Sequence, residues 1–486
     1  MAGLEHLASR LRAELGPAKV IDDRQRLRTY ECDGLAHYKV TPGLVVLPSS
    51  TAEIAAVVRA CNDAGVPFVA RGSGTGLSGG ALPRADGVLI VTTRMRAIRS
   101  VDPQAQRAVV EPGVINLDVS RAAAPHGYYY APDPSSQQIC SIGGNVAENS
   151  GGAHCLKYGF TTNHVVAVEL VAPDGEVTTL GGAAPDTPGY DLLGAFVGSE
   201  GTLGIATEVT VRLTRTPETV RTLLAGFPGT DEAGQAVSAI IGAGVIPAAI
   251  EMMDSLAIEA AEAAVHCGYP AGAGAVLVVE LDGPASEVDA QFTSVERFCA
   301  ENGAFEIRVA ADDEERALIW KGRKSAFAAV GRISPDYLVQ DGVIPRTALP
   351  EVLRAISALS ASSGVRVANV FHAGDGNLHP LVLFDDAVPG AGEAAEEVSG
   401  KILDLCIEHG GSITGEHGVG SDKAKHMPRM FTAADLDTMQ LVRCAFDPDG
   451  LSNPGKVFPT PRLCGEVPGR HRGAHPLVEA GLAEQF

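Results

Sequence analysis

Apolar positions fall at helical spacing in some stretches of this chain and in short strand-like runs in others. Ile54, Val57, Val58 and Cys61 repeat at helical spacing behind Ser50, and Glu53 stands three residues after that serine. The stretch 49–70 therefore reads as a helix opened by a capping box, then a strand. Gly65 can end the helix, and Val66-Pro67-Phe68-Val69-Ala70 supplies the strand. Further strand-like runs lie at 87–92, 107–110, 165–171 and 205–213. Near Thr216-Pro217 the glycine-rich texture gives way to alternating strands and longer helices at 222–227, 234–242, 255–265, 275–281, 312–330, 349–362, 366–370 and 394–409. The tail 444–459 returns to turns, with Asp447-Pro448-Asp449-Gly450 and Asn453-Pro454-Gly455. No internal repeat is visible. Four parts are expected: a helical segment 1–37, a glycine-rich unit 38–216, a sheet-and-helix unit 217–440, and a C-terminal segment 441–486 that returns to the glycine-rich unit.

Composition narrows the classes. The 486 residues carry a net charge of −21 with 45% hydrophobic content. Such a chain is no default ligand for nucleic acid or an anionic membrane, and it can bury a core. The 56 glycines follow no collagen period, so they belong in loops. Residues 1–15 are charged and amphipathic without an apolar signal core, so no secretory signal is expected. The most apolar run, 271–281, contains Glu280 and is closed by Asp282, well short of the ~18 residues needed to span a bilayer. The cysteines, at 32, 61, 140, 155, 267, 299, 406, 444 and 464, are odd in number and never at C-x-x-C spacing. Reduced thiols and a cytoplasmic location are expected, with no iron–sulfur cluster in this chain.

Three glycine-rich loops are the first candidate chemistry. Arg71-Gly72-Ser73-Gly74-Thr75-Gly76-Leu77-Ser78-Gly79-Gly80 follows a strand, and Gly74, Gly76 and Gly79 fit G-x-G-x-x-G. The context is wrong for a Rossmann turn, because Gly79-Gly80-Ala81-Leu82-Pro83 is a poor helix start. No Walker lysine follows either. A tight structural hairpin and a backbone nest for a pyrophosphate both remain open. Pro132 and Ser136 lead into the second stretch, with Ser141, Gly143, Gly144, Asn145, Ala147, Asn149 and Gly151. Glu200, Gly201 and Ile205 belong to the third. Together they suggest one long ligand lying against backbone.

These loops resemble the FAD-binding domain of the vanillyl-alcohol-oxidase-type flavoproteins. The resemblance implies that the first loop takes the pyrophosphate, the second passes the flavin ring and the third reaches the adenine side. The implied cofactor contacts are those named above, from Arg71 to Leu77 and from Pro132 to Ile205. Many relatives bond the flavin to a histidine of the first loop. None stands between 71 and 80 here, so a non-covalent FAD is expected.

Five of the 13 histidines fall between 372 and 426. In His372-Ala373-Gly374-Asp375-Gly376-Asn377-Leu378-His379 the Gly-Asp-Gly-Asn turn can fold the chain back and bring two imidazoles together. Gly415-Glu416-His417-Gly418 adds a carboxylate and a third imidazole. In an extended segment Glu416 and His417 would face opposite ways. Two imidazoles and a carboxylate suit a divalent cation such as zinc or manganese with an open position. Both motifs resemble the FAD-linked 2-hydroxy-acid dehydrogenases that act on glycolate, D-lactate and D-2-hydroxyglutarate. The resemblance implies an α+β fold: a two-part FAD-binding domain of mixed sheets and helices, plus a substrate (cap) domain with an antiparallel sheet flanked by helices. It also implies His372, His379 and Glu416 as metal ligands and His417 as catalytic base.

Lys321, Arg323, Lys324 and Arg332 gather within 320–332, with no acid until Asp336. Such a focus suits an anionic substrate. The stretches 320–324 and 331–337 are most similar to the flavin subunits of the family's bacterial glycolate-oxidising branch. That likeness implies Arg323 as the carboxylate clamp. The 2-hydroxyglutarate members place a lysine just before the Asp-x-x-(I/L)-P turn, whereas Val339 and Gln340 precede Asp341 here, so a monocarboxylate is expected. Asn453 is implied at the flavin ring. The expected reaction is oxidation of a small 2-hydroxy acid to the 2-oxo acid. The resemblance implies an iron–sulfur subunit and a second flavin-type subunit that carry electrons to a membrane quinone, so membrane contact at the inner face is expected only through partners. A D-lactate dehydrogenase acting alone, a metal-dependent hydrolase and a non-catalytic flavin-binding subunit are the competing readings. His154 is open between a place beside the flavin and a turn cap.

Overall fold

A computed structural model describes residues 2–184 and 189–459. The last part of the expected C-terminal segment, including Cys464, lies outside the described residues. The helix Thr51–Ala64 is opened by Ser50, whose Oγ accepts from Glu53 N at 3.3 Å, and ended by left-handed Gly65 with φ 62°. The Glu53 carboxylate reaches back to Ser49 N at 2.8 Å, one residue earlier than a capping box requires. Its buried face packs on a sheet of strands Val20–Ile21, Leu44–Val46, Val88–Val91 and Phe68–Arg71, in that spatial order. The last three run parallel, and Val20–Ile21 joins antiparallel to Leu44–Val46. The helix Ala2–Leu15 lays Leu7, Leu11 and Leu15 into the same core. A second, antiparallel sheet has the order Ile98–Asp102, Arg107–Val110, Ile205–Arg212, Val165–Val171 and Val177–Gly181.

Residues after 216 build one antiparallel sheet. Its order is Glu306–Val309, Thr219–Phe227, Ala275–Gly283, Ala249–Asp254, Val367–His372, Asn377–Phe384 and Asp336–Val339. Side chains alternate across it. Leu223, Ala225 and Phe227 enter one core with the helices Thr230–Gly242, Ala285–Glu301, Leu349–Ser363 and Ala391–Glu408. Leu224, Val276 and Val278 enter the other, with Ser255–Val265 and Asp313–Ala329. Cover on both faces explains why residues 275–279 read as an unbroken apolar run. The tail returns to the first sheet, where Phe68 N donates to Leu451 O at 2.9 Å and Asn453 N to Phe68 O at 2.8 Å. The architecture is the expected one: two mixed sheet-and-helix pieces and a helix-flanked antiparallel cap. No helix among the described residues is long and apolar enough to cross a membrane. Among the described residues seven cysteines are free, but Cys444 is disulfide-bonded, a departure from the expected set of reduced thiols.

Candidate functional site: a nucleotide-sized cavity beside a histidine cluster

A cavity of about 990 Å³ is lined by both halves of the chain. That is the upper end of the roughly 300–1,000 Å³ typical of cofactor sites. All three glycine stretches reach its wall: Arg71 to Leu77, then Ser136, Ser141, Gly143, Gly144 and Ala147, then Glu200, Gly201 and Ile205. The first loop opens no helix, as its sequence foretells. Among the described residues the N–H groups of Gly74, Thr75 and Gly76 donate to no protein acceptor. The Asn145 Nδ2 is likewise buried without a partner. A Cβ on Gly72 would strike Ser141 Oγ, so a side chain there would close the cradle. Unspent donors around a nucleotide-sized space fit a pyrophosphate and the polar edges of a flavin nucleotide.

Four expected contacts stand behind the wall instead. Pro132 O accepts from Asn116 Nδ2 at 3.1 Å. Asn149 caps the helix Ile142–Glu148 in the left-handed region and accepts from Thr162 N at 2.8 Å. Gly151 faces Glu416, whose Oε2 would lie 2.6 Å from a Cβ placed there. Asn453 donates to Gly80 O at 3.0 Å and Glu200 O at 2.5 Å, tying the first loop to the third. The cavity also recruits His37 and Lys39, which no local motif marks, together with Lys324 and Tyr337 from the stretches 320–324 and 331–337.

The histidine cluster forms on the hairpin of Val367–His372 and Asn377–Phe384. Gly376, with φ 85°, makes the turn, and a Cβ there would strike Ile344 O. The rings of His372 and His379 lie 4.9 Å apart at 89°. Each is oriented from behind: His372 Nδ1 stands 2.8 Å from Glu251 Oε1, and His379 Nδ1 stands 3.3 Å from Gln340 O. Both Nε2 atoms therefore aim at Glu416 Oε1, at 3.3 and 3.0 Å. Such outer support fixes the tautomer of a ligating imidazole. Among the described residues the His379 Nε2 makes no hydrogen bond. This donor set can hold a divalent cation.

The segment 415–417 is not extended. The buried Asp341 carboxylate accepts the N–H groups of Gly415 at 3.0 Å, Glu416 at 3.2 Å and His417 at 2.8 Å. Winding around that carboxylate turns both Glu416 and His417 toward the hairpin, so they do not face opposite ways. His417 stacks on His379 with centroids 4.9 Å apart and lines the cavity with Glu416. Burial pushes the His417 imidazole down to about 4, while Asp341 pulls the other way. Burial opposes ionisation of Glu416, but His372 and His379 hold it well below the carboxylate range. Glu251, Gln340 and Asp341 were missed by the sequence reading, because each is remote from the histidines along the chain.

The four cations of 320–332 do not form one focus. Lys321 is exposed, and Arg332 donates to Ala263 O at 2.9 Å. Lys324 lines the cavity and lies 3.4 Å from Asp133 Oδ2. Arg323 is buried, with Nη2 2.5 Å from Glu251 Oε2. Nη2 is thus ion-paired with Glu251, and among the described residues Nε is buried without a hydrogen-bond partner. Its guanidinium sits 5.9 Å from the ring of Phe327, a cavity residue, which places Arg323 one layer behind the wall. His154 is neither beside the cavity nor a simple cap. Its Nδ1 stands 2.9 Å from Asp133, its Nε2 3.2 Å from Glu280, and its ring stacks on Trp320.

Residues 42–181 match the family model "FAD binding domain", and 216–457 match "FAD linked oxidases, C-terminal domain". The chain is 52% identical to the glycolate oxidase subunit GlcD of Escherichia coli, over 95% of this chain and 92% of that one. It is 39% identical to GlcD of Bacillus subtilis, covering 91% and 94%. A D-lactate dehydrogenase of Anaerostipes hadrus is 32% identical, covering 91% and 95%. Among solved structures, the 4-ethylphenol oxidase of Gulosibacter chungangensis superposes with TM-score 0.78 at 18% identity, over 95% of this chain and 98% of that one. That last likeness concerns the fold alone.

Proposed function

The chain belongs to the FAD-linked oxidases, and from that premise we propose that it oxidises a small 2-hydroxy monocarboxylate, glycolate foremost, to the 2-oxo acid. The observation that carries the reading is the meeting of His372, His379 and Glu416 beside a cavity on whose wall His417 stands. FAD, held non-covalently by the three loops, supplies the two-electron acceptor when bound. A divalent cation, zinc or manganese, would sit on His372, His379 and Glu416 and supply a Lewis acid for the substrate hydroxyl. The neutral His417 takes the hydroxyl proton, a role worth ~10²–10⁴-fold. Arg323, ion-paired through Nη2 to Glu251, offers Nε to the carboxylate, and Lys324 adds positive charge on the wall. Phe327 and Tyr337 exclude water on that side. Electrons leave to a partner, for which an iron–sulfur subunit and a second flavin-type subunit are proposed, and onward to a quinone.

The test is the visible spectrum of the purified chain. Glycolate should bleach it faster than D-lactate, and D-lactate faster than 2-hydroxyglutarate. A flavin left unbleached by all three would reject the reading. A preference for D-lactate would favour the lone D-lactate dehydrogenase, which the 32% relative supports. Acid precipitation should leave the yellow colour in solution. Colour kept in the pellet would point to a covalent bond, with His37 on the cavity wall as the first residue to test.

A further inference from the structure

Glu148 is the last residue of the helix Ile142–Glu148, and left-handed Asn149 fixes where that helix stops. Glu148 lines the cavity, yet among the described residues its carboxyl forms no hydrogen bond and no ion pair, and Oε2 is fully buried. Its surroundings are shaped for it. A Cβ on Gly80 would strike Oε1, and one on Gly418 would strike Oε2. The same Cβ on Gly418 would also stand 2.9 Å from Glu200 Oε1, so two carboxyl groups crowd one point. Glu200 is the satisfied member, accepting from Val419 N at 2.6 Å and Gly420 N at 2.7 Å.

Among the described residues no cation forms an ion pair with Glu148, and Lys423 and Lys456 offset its burial only in part. The nearby Lys423 is 3.2 Å from Asp341 and donates to Gly418 O at 3.0 Å. Lys456 donates to Leu82 O at 2.8 Å and to Asn453 Oδ1 at 3.3 Å. Asp33 adds a further carboxyl to the same region. An unpaired carboxylate buried against two others costs several kcal/mol, and protonation removes that cost. Burial, then Glu200, push the Glu148 carboxyl well above its ordinary range.

We propose that Glu148 is held as a neutral carboxylic acid and donates a hydrogen bond to the ring end of bound FAD, so that it sets the balance between oxidised and reduced cofactor. The placement follows from Gly418, which packs on Glu148 and follows His417, the imidazole at the cavity's reactive end. The proposal rests on the FAD reading above and goes one step past it, assigning a role to a residue outside the histidine cluster, with Oε1 beside Gly76 and Gly80 of the first loop.

The experiment uses the FAD-loaded full chain. Its midpoint potential is measured at one pH for wild type, Glu148→Gln and Glu148→Ala. Infrared difference spectra on reduction are recorded for wild type and Glu148→Gln. Glu148→Ala should lose about tenfold in preference for the reduced cofactor, ~30 mV for a two-electron couple. Glu148→Gln keeps a neutral donor and should stay within about threefold of wild type. A carboxylic-acid C=O band that shifts on reduction should be present in wild type and missing from Glu148→Gln. Equal potentials in all three proteins, equal losses in both variants, or no such band would each overturn the proposal. Should Glu148→Ala fail to load FAD, the infrared pair decides alone. A wild-type chain that binds no FAD would instead refute the underlying function, so the two failures are distinguishable.

Discussion

Two buried histidine sites in this molecule reach opposite charge states. At the junction of the two halves, His154 lies between Asp133 and Glu280. Burial alone would lower its pKa, but the two carboxylates lift it to about 10. In the cluster, His417 is as deeply placed, yet its nearest carboxylates are already engaged. Glu416 faces His372 and His379, and Asp341 is occupied by three backbone N–H groups and Lys423. Burial therefore prevails, and His417 stays neutral. Direct contact separates a cationic cement from a proton acceptor: His154 meets its carboxylates at 2.9 and 3.2 Å, whereas His417 stands 3.7 Å from Glu416. The junction site is also over-supported: Glu280 accepts from Arg316 at 2.9 Å, Trp320 Nε1 at 2.6 Å and Thr222 Oγ1 at 2.6 Å. In the cluster, among the described residues, His379 Nε2 and His417 Nδ1 make no hydrogen bond.

The comparison breaks most visibly at Glu251. Glu251→Gln leaves Arg323 buried without a counter-charge and weakens the support of His372. A loss of about 3–5 kcal/mol in urea unfolding is expected, with ~10–100-fold weaker metal retention by equilibrium dialysis. Unchanged metal content would remove the case for a cation on His372. Next comes His154→Gln, which deletes a charged junction but leaves Arg316 on Glu280 and Lys324 on Asp133. About 1.5–3 kcal/mol should be lost with little change in flavin content.

The sign of the pH effect sharpens the contrast. His154 has a folded pKa above its unfolded value of ~6.5, so its contribution is complete below that pH and fades as pH rises toward about 10. Thermal midpoints of wild type should converge on those of His154→Gln between pH 7 and 10, and parallel curves would show that the imidazole is not charged. Smaller still are the cations of 320–332. Arg323→Ala should mainly raise KM, Lys324→Ala should raise it less, and exposed Lys321→Ala should change stability by under ~0.5 kcal/mol. Equal KM effects from Arg323 and Lys321 would dissolve the clamp.

Local order along the chain set a good deal of this protein. The serine-capped helix ending at Gly65, the glycine loops too poor in helix formers to make a Rossmann turn, and the hairpin between His372 and His379 depend on neighbours a few residues apart. Short-range sterics and hydrogen bonding make them legible in the sequence. What only tertiary packing decided is which charges meet. Glu251, 121 residues before His372, orients that ring, and Asp341 curls 415–417 so that Glu416 and His417 converge. The compact cation stretch at 320–332 looked like one patch because sequence proximity ignores helix faces, which send Arg323 inward and Lys321 outward. Burial, and the partners it brings from distant strands, sets the charge of His154, His417 and Glu148, and neither quantity is a property of the neighbouring residues.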